Sequence, residues 1–208
     1  MRKLILKMSM TVDGFVGGPN GEIDWVFRTS SPEGRVWTVA AISGAGAHLM
    51  GSKSFRDMAS YWPTSAEAFA EPMNSVPKVV FTRKGLGDTA TTGALKDARA
   101  QGTGHVAPSA ETLRSWTHPR VMTGDLAAAI ATLKAEPGRE LLAHGGASLA
   151  QSLVALDLVD EYRLAVHPVV LGRGLPLFAA GQPPFDLTLV ESQSFPKGVV
   201  THVYRRDR

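Results

Sequence analysis

The 208 residues carry 44% hydrophobic and 20% charged side chains with a formal net charge of +3, an ordinary composition for a globular chain. The absence of cysteine excludes disulfides, thiolate metal sites and a cysteine nucleophile, and fits a reducing cytoplasm. Met1–Met8, interrupted by Lys7, is too short for a signal peptide, no apolar run approaches the ~20 residues that span a bilayer, and the terminal Arg205-Arg206-Asp207-Arg208 lacks the interleaved aromatics of a nucleic-acid-binding stripe and reads as solvated.

In chain order, Leu4 to Met10 reads as a buried strand ending in the turn residues Asp13-Gly14, and the glycine-rich Gly17-Gly18-Pro19-Asn20-Gly21 leads into Asp24-Trp25. Arg35 to Ala47 has helical composition, softened at its end by Gly44 and Gly46. The short apolar Leu49-Met50-Gly51 precedes a helical stretch around Ser54 to Ala59, and Lys78 to Thr82 is a β-rich strand. Gly85 to Pro119 is the least patterned region, and predicts a long surface excursion with about one helical turn. Order returns at Arg120 to Gly124, followed by a helix on Leu126, Ile130 and Leu133 that Pro137-Gly138 closes. Beyond Leu158-Val-Asp-Glu161, a connection with solvated acids, the pattern changes to strands alone. Tyr162, Leu164 and Val166 alternate with polar or small residues; Phe185 to Glu191 and Val199 to Tyr204 form two further strands joined by Pro196-Lys197-Gly198, with Gly172-Arg173-Gly174 as a turn serving that hairpin. A βα-alternating body finished by an antiparallel hairpin is an α/β fold with a mixed sheet flanked by helices. No repeat or composition shift divides residues 1–208, so one domain is expected.

The most informative stretch is Glu140 to Ala150, where an apolar strand ends in Gly145-Gly146 and a helix begins on Leu149, Leu153 and Leu156. Two glycines between strand and helix let the backbone approach a ligand closely. The unpaired N–H groups of the first helical turn then favour an anion such as a phosphate. Taken alone, such a turn serves equally as a tight connection.

Six motifs give that turn a context: Met8-Ser-Met-Thr-Val-Asp-Gly-Phe15, Leu49-Met-Gly-Ser-Lys-Ser-Phe55, Val79-Val-Phe-Thr-Arg83, His144-Gly-Gly-Ala-Ser-Leu149, Leu158-Val-Asp-Glu161 and His167-Pro-Val-Val-Leu-Gly-Arg-Gly174. In this order and spacing the chain, from about Lys3 to Tyr204, resembles the dihydrofolate reductase superfamily, on the branch of the reductase domain of bifunctional riboflavin-biosynthesis proteins. The resemblance implies a dihydrofolate reductase-like three-layer fold with a mostly parallel central sheet and a C-terminal antiparallel hairpin. It also implies an NADPH site across the strand ends and hydride transfer to a C=N or C=O group of a small planar heterocycle. Gly145, Gly146, Ala147, Ser148 and Leu149 would carry the cofactor pyrophosphate, and Gly51, Ser52, Lys53 and Ser54 a second helix start serving it. Thr82 and Arg83 would hold the 2′-phosphate, for which a guanidinium and a hydroxyl are suited. Relatives place an arginine directly after the glycine at 51, whereas this chain has Ser52 and moves the cation to Lys53.

The substrate side departs further. No carboxylate falls at the first-helix position used by dihydrofolate reductases proper; Glu33 follows Pro32 at a helix start, where an acid suits the dipole. Asp24 is the candidate acid, its alternative role being a turn residue that caps the next helix; Asp13 and Trp25 are the candidate substrate neighbours. Relatives commonly carry a glutamate just before the glycine turn, and His144 stands there, either as a proton donor or as a structural group. The remaining histidines show no paired ligand spacing, so no metal is expected. A binding or sensor protein of the same fold without turnover is the alternative to an enzyme. The apolar Val166-His-Pro-Val-Val-Leu171 and the family's C-terminal strands point to a two-fold homodimer, and neither nucleic acid nor membrane is an expected partner.

Overall fold

The computed structural model describes residues 1–86 and 106–207. Its centre is β1 (Leu4–Thr11), hydrogen-bonded in parallel to β6 (Leu141–His144) on one side and β7 (Glu161–His167) on the other. A strand enclosed in this way is apolar on both faces, and LILKMSMT meets that requirement at every position up to Lys7. Outward from β6 lie β3 (Ala47–Gly51), β4 (Lys78–Phe81) and β5 (Arg120–Met122), all parallel. Outward from β7 lie β10 (Val200–Arg205) and then β9 (Thr188–Ser194), both in antiparallel pairing. The eight-stranded order is β5-β4-β3-β6-β1-β7-β10-β9, and a separate two-stranded ribbon joins β2 (Phe15–Gly17) to β8 (Leu175–Pro176).

The period of two in β1 separates two cores. Leu4, Leu6 and Met8 pack with α6 (Leu126–Ala135) and α7 (Ala147–Ala155) on one face. Ile5, with Met50, Val80 and Leu142, packs on the other against α2 (Pro32–Ser43), α3 (Ser52–Ala59), α4 (Ala70–Ser75) and α5 (Ala110–Thr117). Lys7 and Ser9 share the second face, in register with His144 on β6 and with Arg163 and Ala165 on β7. Helix α1 (Asp24–Thr29) closes the end of that face, where Trp25 meets the His167 ring edge-on at 5.2 Å.

Several details differ from the sequence reading. Within the expected 85–119 excursion, residues 106–119 include α5, whose Trp116 is fully buried against Phe55; residues 87–105 lie outside the described set. A single tryptophan carries the burial of an otherwise polar helix, so no apolar period announced it. Its indole donates to Asn74 Oδ1 at 2.7 Å, and the buried Lys78 ammonium stands 4.5 Å from its ring. The acids at 160–161 are not solvated. Asp160 accepts the Leu4 N–H at 2.7 Å and pairs with Lys134, while buried Glu161 pairs with Arg163 at 2.8 Å. Leu156 caps α7 and is 49% exposed, so the buried face of that helix is Ala150, Leu153 and Val154. Residues 172–174 serve the β2–β8 ribbon instead of the hairpin, and a Cβ on Gly174 would stand 2.3 Å from the Gly17 carbonyl oxygen. Arg206, expected in water, pairs with Asp157 at 3.0 Å and lies over the Phe185 ring at 5.1 Å. Phe185 packs near Tyr162 ahead of the last hairpin, whose first strand starts at Thr188.

Trp116→Ala removes a filled core position and the aromatic face beneath Lys78. It should lower unfolding free energy by roughly 3–5 kcal/mol, read from urea denaturation; a loss within about 0.5 kcal/mol, the range of a surface change, would contradict burial of α5.

Candidate functional site

The C-terminal ends of β4, β3 and β6 open into one cleft of about 1320 Å³ that continues across β1 and β7 beneath α1 and α2. Parallel strand ends with helices departing from them are where open α/β sheets bind ligands. Every residue assigned to the cofactor from the sequence lines this cleft: Gly51 to Ser54, Thr82 and Arg83, and Gly145 to Leu149. Thr123, Gly124 and Asp125 complete the wall after β5.

The two glycine-led helix starts are built alike. Helices α2, α5 and α6 are capped by the side chains of Ser31, Ser109 and Asp125, whereas α3 and α7 begin at Gly51 and Gly146 with no side-chain cap. Their first-turn N–H groups therefore face the cleft without a side-chain acceptor, an arrangement that suits anionic oxygens. Gly145 and Gly146 have φ of 79° and 78°, a region other residues enter only with strain. A Cβ on Gly146 would stand 2.9 Å from Ser54 Oγ, and one on Gly145 3.1 Å from Met58 Cε. The residues present thus fit a pyrophosphate laid between α3 and α7.

Two charges nearby are disposed differently. Lys53 is 80% exposed and pairs with Asp57 at 3.1 Å, one turn along α3. Arg83, exposed at the end of β4, makes no ion pair among the described residues, and the preceding Thr82 hydroxyl donates to the Gly85 carbonyl at 3.1 Å. Of the two cations, Arg83 is the better placed for a second phosphate.

The other half of the cleft has a floor of Lys7, Ser9, His144, Ala165, His167 and Thr201. Burial pushes the Lys7 ammonium down to about 8. Burial, followed by the charges of His48, Lys7 and Lys78, holds His144 well below the usual imidazole range. Burial and then Lys7 bring His167 to about 4. His144 stands edge-on to the buried His48 at 4.6 Å, and His48 is itself brought to about 4 by burial. The Nε2 atoms of His144 and His167 have no hydrogen-bond partner among the described residues. Near pH 7 the imidazoles are neutral, so Lys7, not His144, is the group on this floor that can release a proton. The sequence reading missed Lys7, although a lysine inside LILKMSMT was a visible break in an enclosed strand.

The remaining expected site residues lie outside the cleft lining. Asp24 is 73% exposed and faces Arg28 at 3.7 Å, one turn along α1, which leaves it in solvent instead of beside a reacting atom. Asp13 accepts from Thr11 Oγ1 at 2.6 Å and from the N–H groups of Leu171 and Gly172 at 3.0 and 2.7 Å; the Thr11 bond first, then these, keep its carboxyl below the usual range. Its carboxylate fastens the loop after β7. Trp25 is buried, donates to the Glu22 carbonyl at 3.2 Å, and supports His167, whose Nδ1 lies 2.7 Å from Thr29 Oγ1. Among the described residues no group of three histidines or carboxylates could hold a metal ion, and no helix is long and apolar enough to cross a membrane.

Comparison with known proteins agrees with this architecture. The pattern of the RibD C-terminal domain matches residues 2–201. The chain belongs to that family. It is 30% identical to the uncharacterized protein YyaP of Bacillus subtilis (strain 168), over 98% of this chain and 94% of that one. Two solved structures share its fold at low identity. RibD of Acinetobacter baumannii superposes with a TM-score of 0.68 at 17% identity, covering 100% of this chain and 59% of that one. The diaminohydroxyphosphoribosylaminopyrimidine deaminase/5-amino-6-(5-phosphoribosylamino)uracil reductase of Thermotoga maritima superposes at 0.65 and 15% identity, covering 99% and 57%. The chain thus spans under three-fifths of each of these two longer proteins.

The buried imidazoles link stability to pH. The unfolded chain takes up protons on His48, His144 and His167 as pH falls through 6.5, while native His48 and His167 do so only near 4 and His144 likewise resists. Stability should therefore fall with pH across that window, by up to about 1.4 kcal/mol per pH unit for each ring that stays neutral. Urea midpoints should be lower at pH 5 than at pH 7; equal midpoints would show that these rings charge freely in the native state.

Proposed function

We propose that the protein is an NADPH-dependent reductase acting as one domain in the cytoplasm, of the kind used on pyrimidines in riboflavin biosynthesis. It delivers hydride to a C=N or C=O group of a small planar heterocycle. The observation that carries this reading is the paired, uncapped, glycine-led helix starts of α3 and α7 facing one another across the ends of parallel strands. Bound NADPH supplies the hydride, and the protein contributes orientation, exclusion of water and a proton.

The chain's own part follows from the floor of the cleft. The first turns of α3 and α7 bind the pyrophosphate, and Arg83 with Thr82 binds the 2′-phosphate. Lys7, poised near 8, gives its Nζ proton to the nitrogen or oxygen of the reduced bond and recovers it from water. A general acid works best when it titrates near the operating pH. His144, neutral, offers its unpartnered Nε2 as a hydrogen-bonding group to the heterocycle. Asp13 and Trp25 act behind the surface, holding the loop after β7 and the His167 ring. Lys7 also favours turnover over a binding-only role, since a desolvated amine brought toward neutrality on the floor of the cleft suits proton transfer. A two-fold homodimer is part of the proposal: Val170, 72% exposed beyond β7, is an apolar side chain a second subunit would cover. Light scattering tests that assembly, and the mass of one chain, unchanged on concentration, would contradict it.

Two variants test the site. Arg83→Ala should weaken NADPH binding by roughly 1–3 kcal/mol, the range of a charge-assisted contact, and leave NADH binding nearly unchanged; equal losses for both would assign Arg83 to the fold or to the shared pyrophosphate. Lys7→Met should reduce turnover of a deaminated ribosylaminopyrimidine or dihydropteridine by about 10²–10⁴-fold while NADPH affinity holds. Turnover at the wild-type rate in Lys7→Met would remove the proton-donor role.

A further inference from the structure

Beyond Lys7 the cleft changes character. One wall is the chain that follows α3: Tyr61 meets Trp62 edge-on at 4.9 Å, and Trp62 meets Phe69 at 6.0 Å. The Trp62 carbonyl accepts from the Asn74 side chain at 3.0 Å and from the Ser65 N–H at 3.2 Å, which fixes this aromatic row in place. Met58 and Met73 continue the apolar surface behind it. The facing wall is α2, presenting Gly34, Thr38 and Ile42, and the mouth is rimmed by Phe27 and Ile23 of the α1 segment, 66% and 48% exposed.

Charge is sparse here, and its balance disfavours an anion. Arg35 is the cation of this half away from the floor; it is exposed and its Nε donates to Ser30 Oγ at 3.2 Å. Across the cleft stand Glu67, which accepts from the Tyr61 hydroxyl, and Asp57, already paired with Lys53. The first turn of α2 is occupied too, since Ser31 Oγ accepts the Gly34 N–H at 3.2 Å. A phosphate dianion placed between these walls would lose its hydration and meet one exposed guanidinium offset by the Glu67 carboxylate, the Lys53–Asp57 pair adding no net charge. An aromatic or aliphatic ring would instead cover Trp62, Phe69 and Ile42 and the exposed rim side chains, with offset or edge-on contacts to the indole.

We propose that the substrate of this reductase carries, beyond the reacting heterocycle held at Lys7 and His144, a neutral ring-sized apolar arm lying between α2 and the Tyr61–Phe69 segment, and not a phosphorylated sugar. This specificity rests on the reductase reading of the same cleft. It distinguishes the chain from a reductase whose substrate bears a phosphoribosyl group of the kind that the 5-amino-6-(5-phosphoribosylamino)uracil reductase of Thermotoga maritima is named for.

The test uses a pair of probes that share a ring and differ in charge, 2-naphthol and 2-naphthyl phosphate, titrated into the full chain by calorimetry with and without saturating NADPH. The expected result is binding of 2-naphthol at least about tenfold tighter than of 2-naphthyl phosphate, which is ~1.4 kcal/mol. Trp62→Ala should remove that binding, Trp62→Phe should restore most of it, and NADPH affinity should be the same in all three proteins. Equal or tighter binding of the phosphate overturns the proposal in the wild-type protein alone, as does absence of saturable 2-naphthol binding at millimolar concentration. Unchanged 2-naphthol binding in a folded Trp62→Ala protein overturns it as well. The two readings fail separately: NADPH binding without 2-naphthol binding removes the apolar arm, and Trp62-dependent 2-naphthol binding without any NADPH binding removes the reductase.

Discussion

The approach of Ser54 to Gly146 sets the geometry on which the site depends. With the Ser54 hydroxyl 2.9 Å from where a Cβ on residue 146 would stand, a side chain there would push that hydroxyl out of the space where α3 and α7 start side by side. The positive φ at 145 and 146 turns β6 directly into α7 instead of letting the chain loop outward. Strands β3 and β6 are adjacent and in register from Ala47–Leu141 to Leu49–Ala143, so both helices leave the sheet at the same height. Two helix starts without side-chain caps then share one opening, where their partial positive charges add.

The sheet imposes a second condition on the neighbouring floor. Position 7 of β1 has β6 on one side and β7 on the other, so any side chain there is enclosed laterally and exposed only toward the cleft. A lysine in that setting is costly to charge, and the cost appears as a proton affinity lowered toward neutrality. The same enclosure discharges His144 and His167. Their neutrality in turn spares Lys7 the repulsion that two imidazolium ions would add. Acid-base capacity is thereby concentrated on one amine in a floor of hydrogen-bonding groups.

The parts legible in the sequence were those governed by short-range chemistry. The Gly145-Gly146 turn, the β1 run and the α6 period each announced themselves within about ten residues, and the residues that line the cleft at the ends of β3, β4 and β6 followed from motifs at strand ends. The half of the cleft around Lys7 was less legible because its members come from distant segments and are ordinary residues singly. Lys7 looked like an interruption in an N-terminal stretch until β6 and β7 enclosed it. Asp24, conspicuous beside Trp25, proved to be the outward residue of a one-and-a-half-turn helix whose inward residue is the tryptophan. Trp116 and the Tyr61–Trp62–Phe69 row lie in segments with no period, where burial depends on what packs from elsewhere in the chain.

The central claim is that the two glycine-led helix starts, of α3 and α7, form a dinucleotide site. Fluorescence titration of NADPH into the wild-type protein and into Gly146→Val, with circular dichroism to verify folding, addresses it most directly. The account predicts saturable micromolar binding to the wild type and a loss of at least about tenfold in the folded variant, because the added side chain would occupy the gap between Ser54 and the helix start. Absence of saturable NADPH binding to the wild-type protein at millimolar cofactor would contradict it.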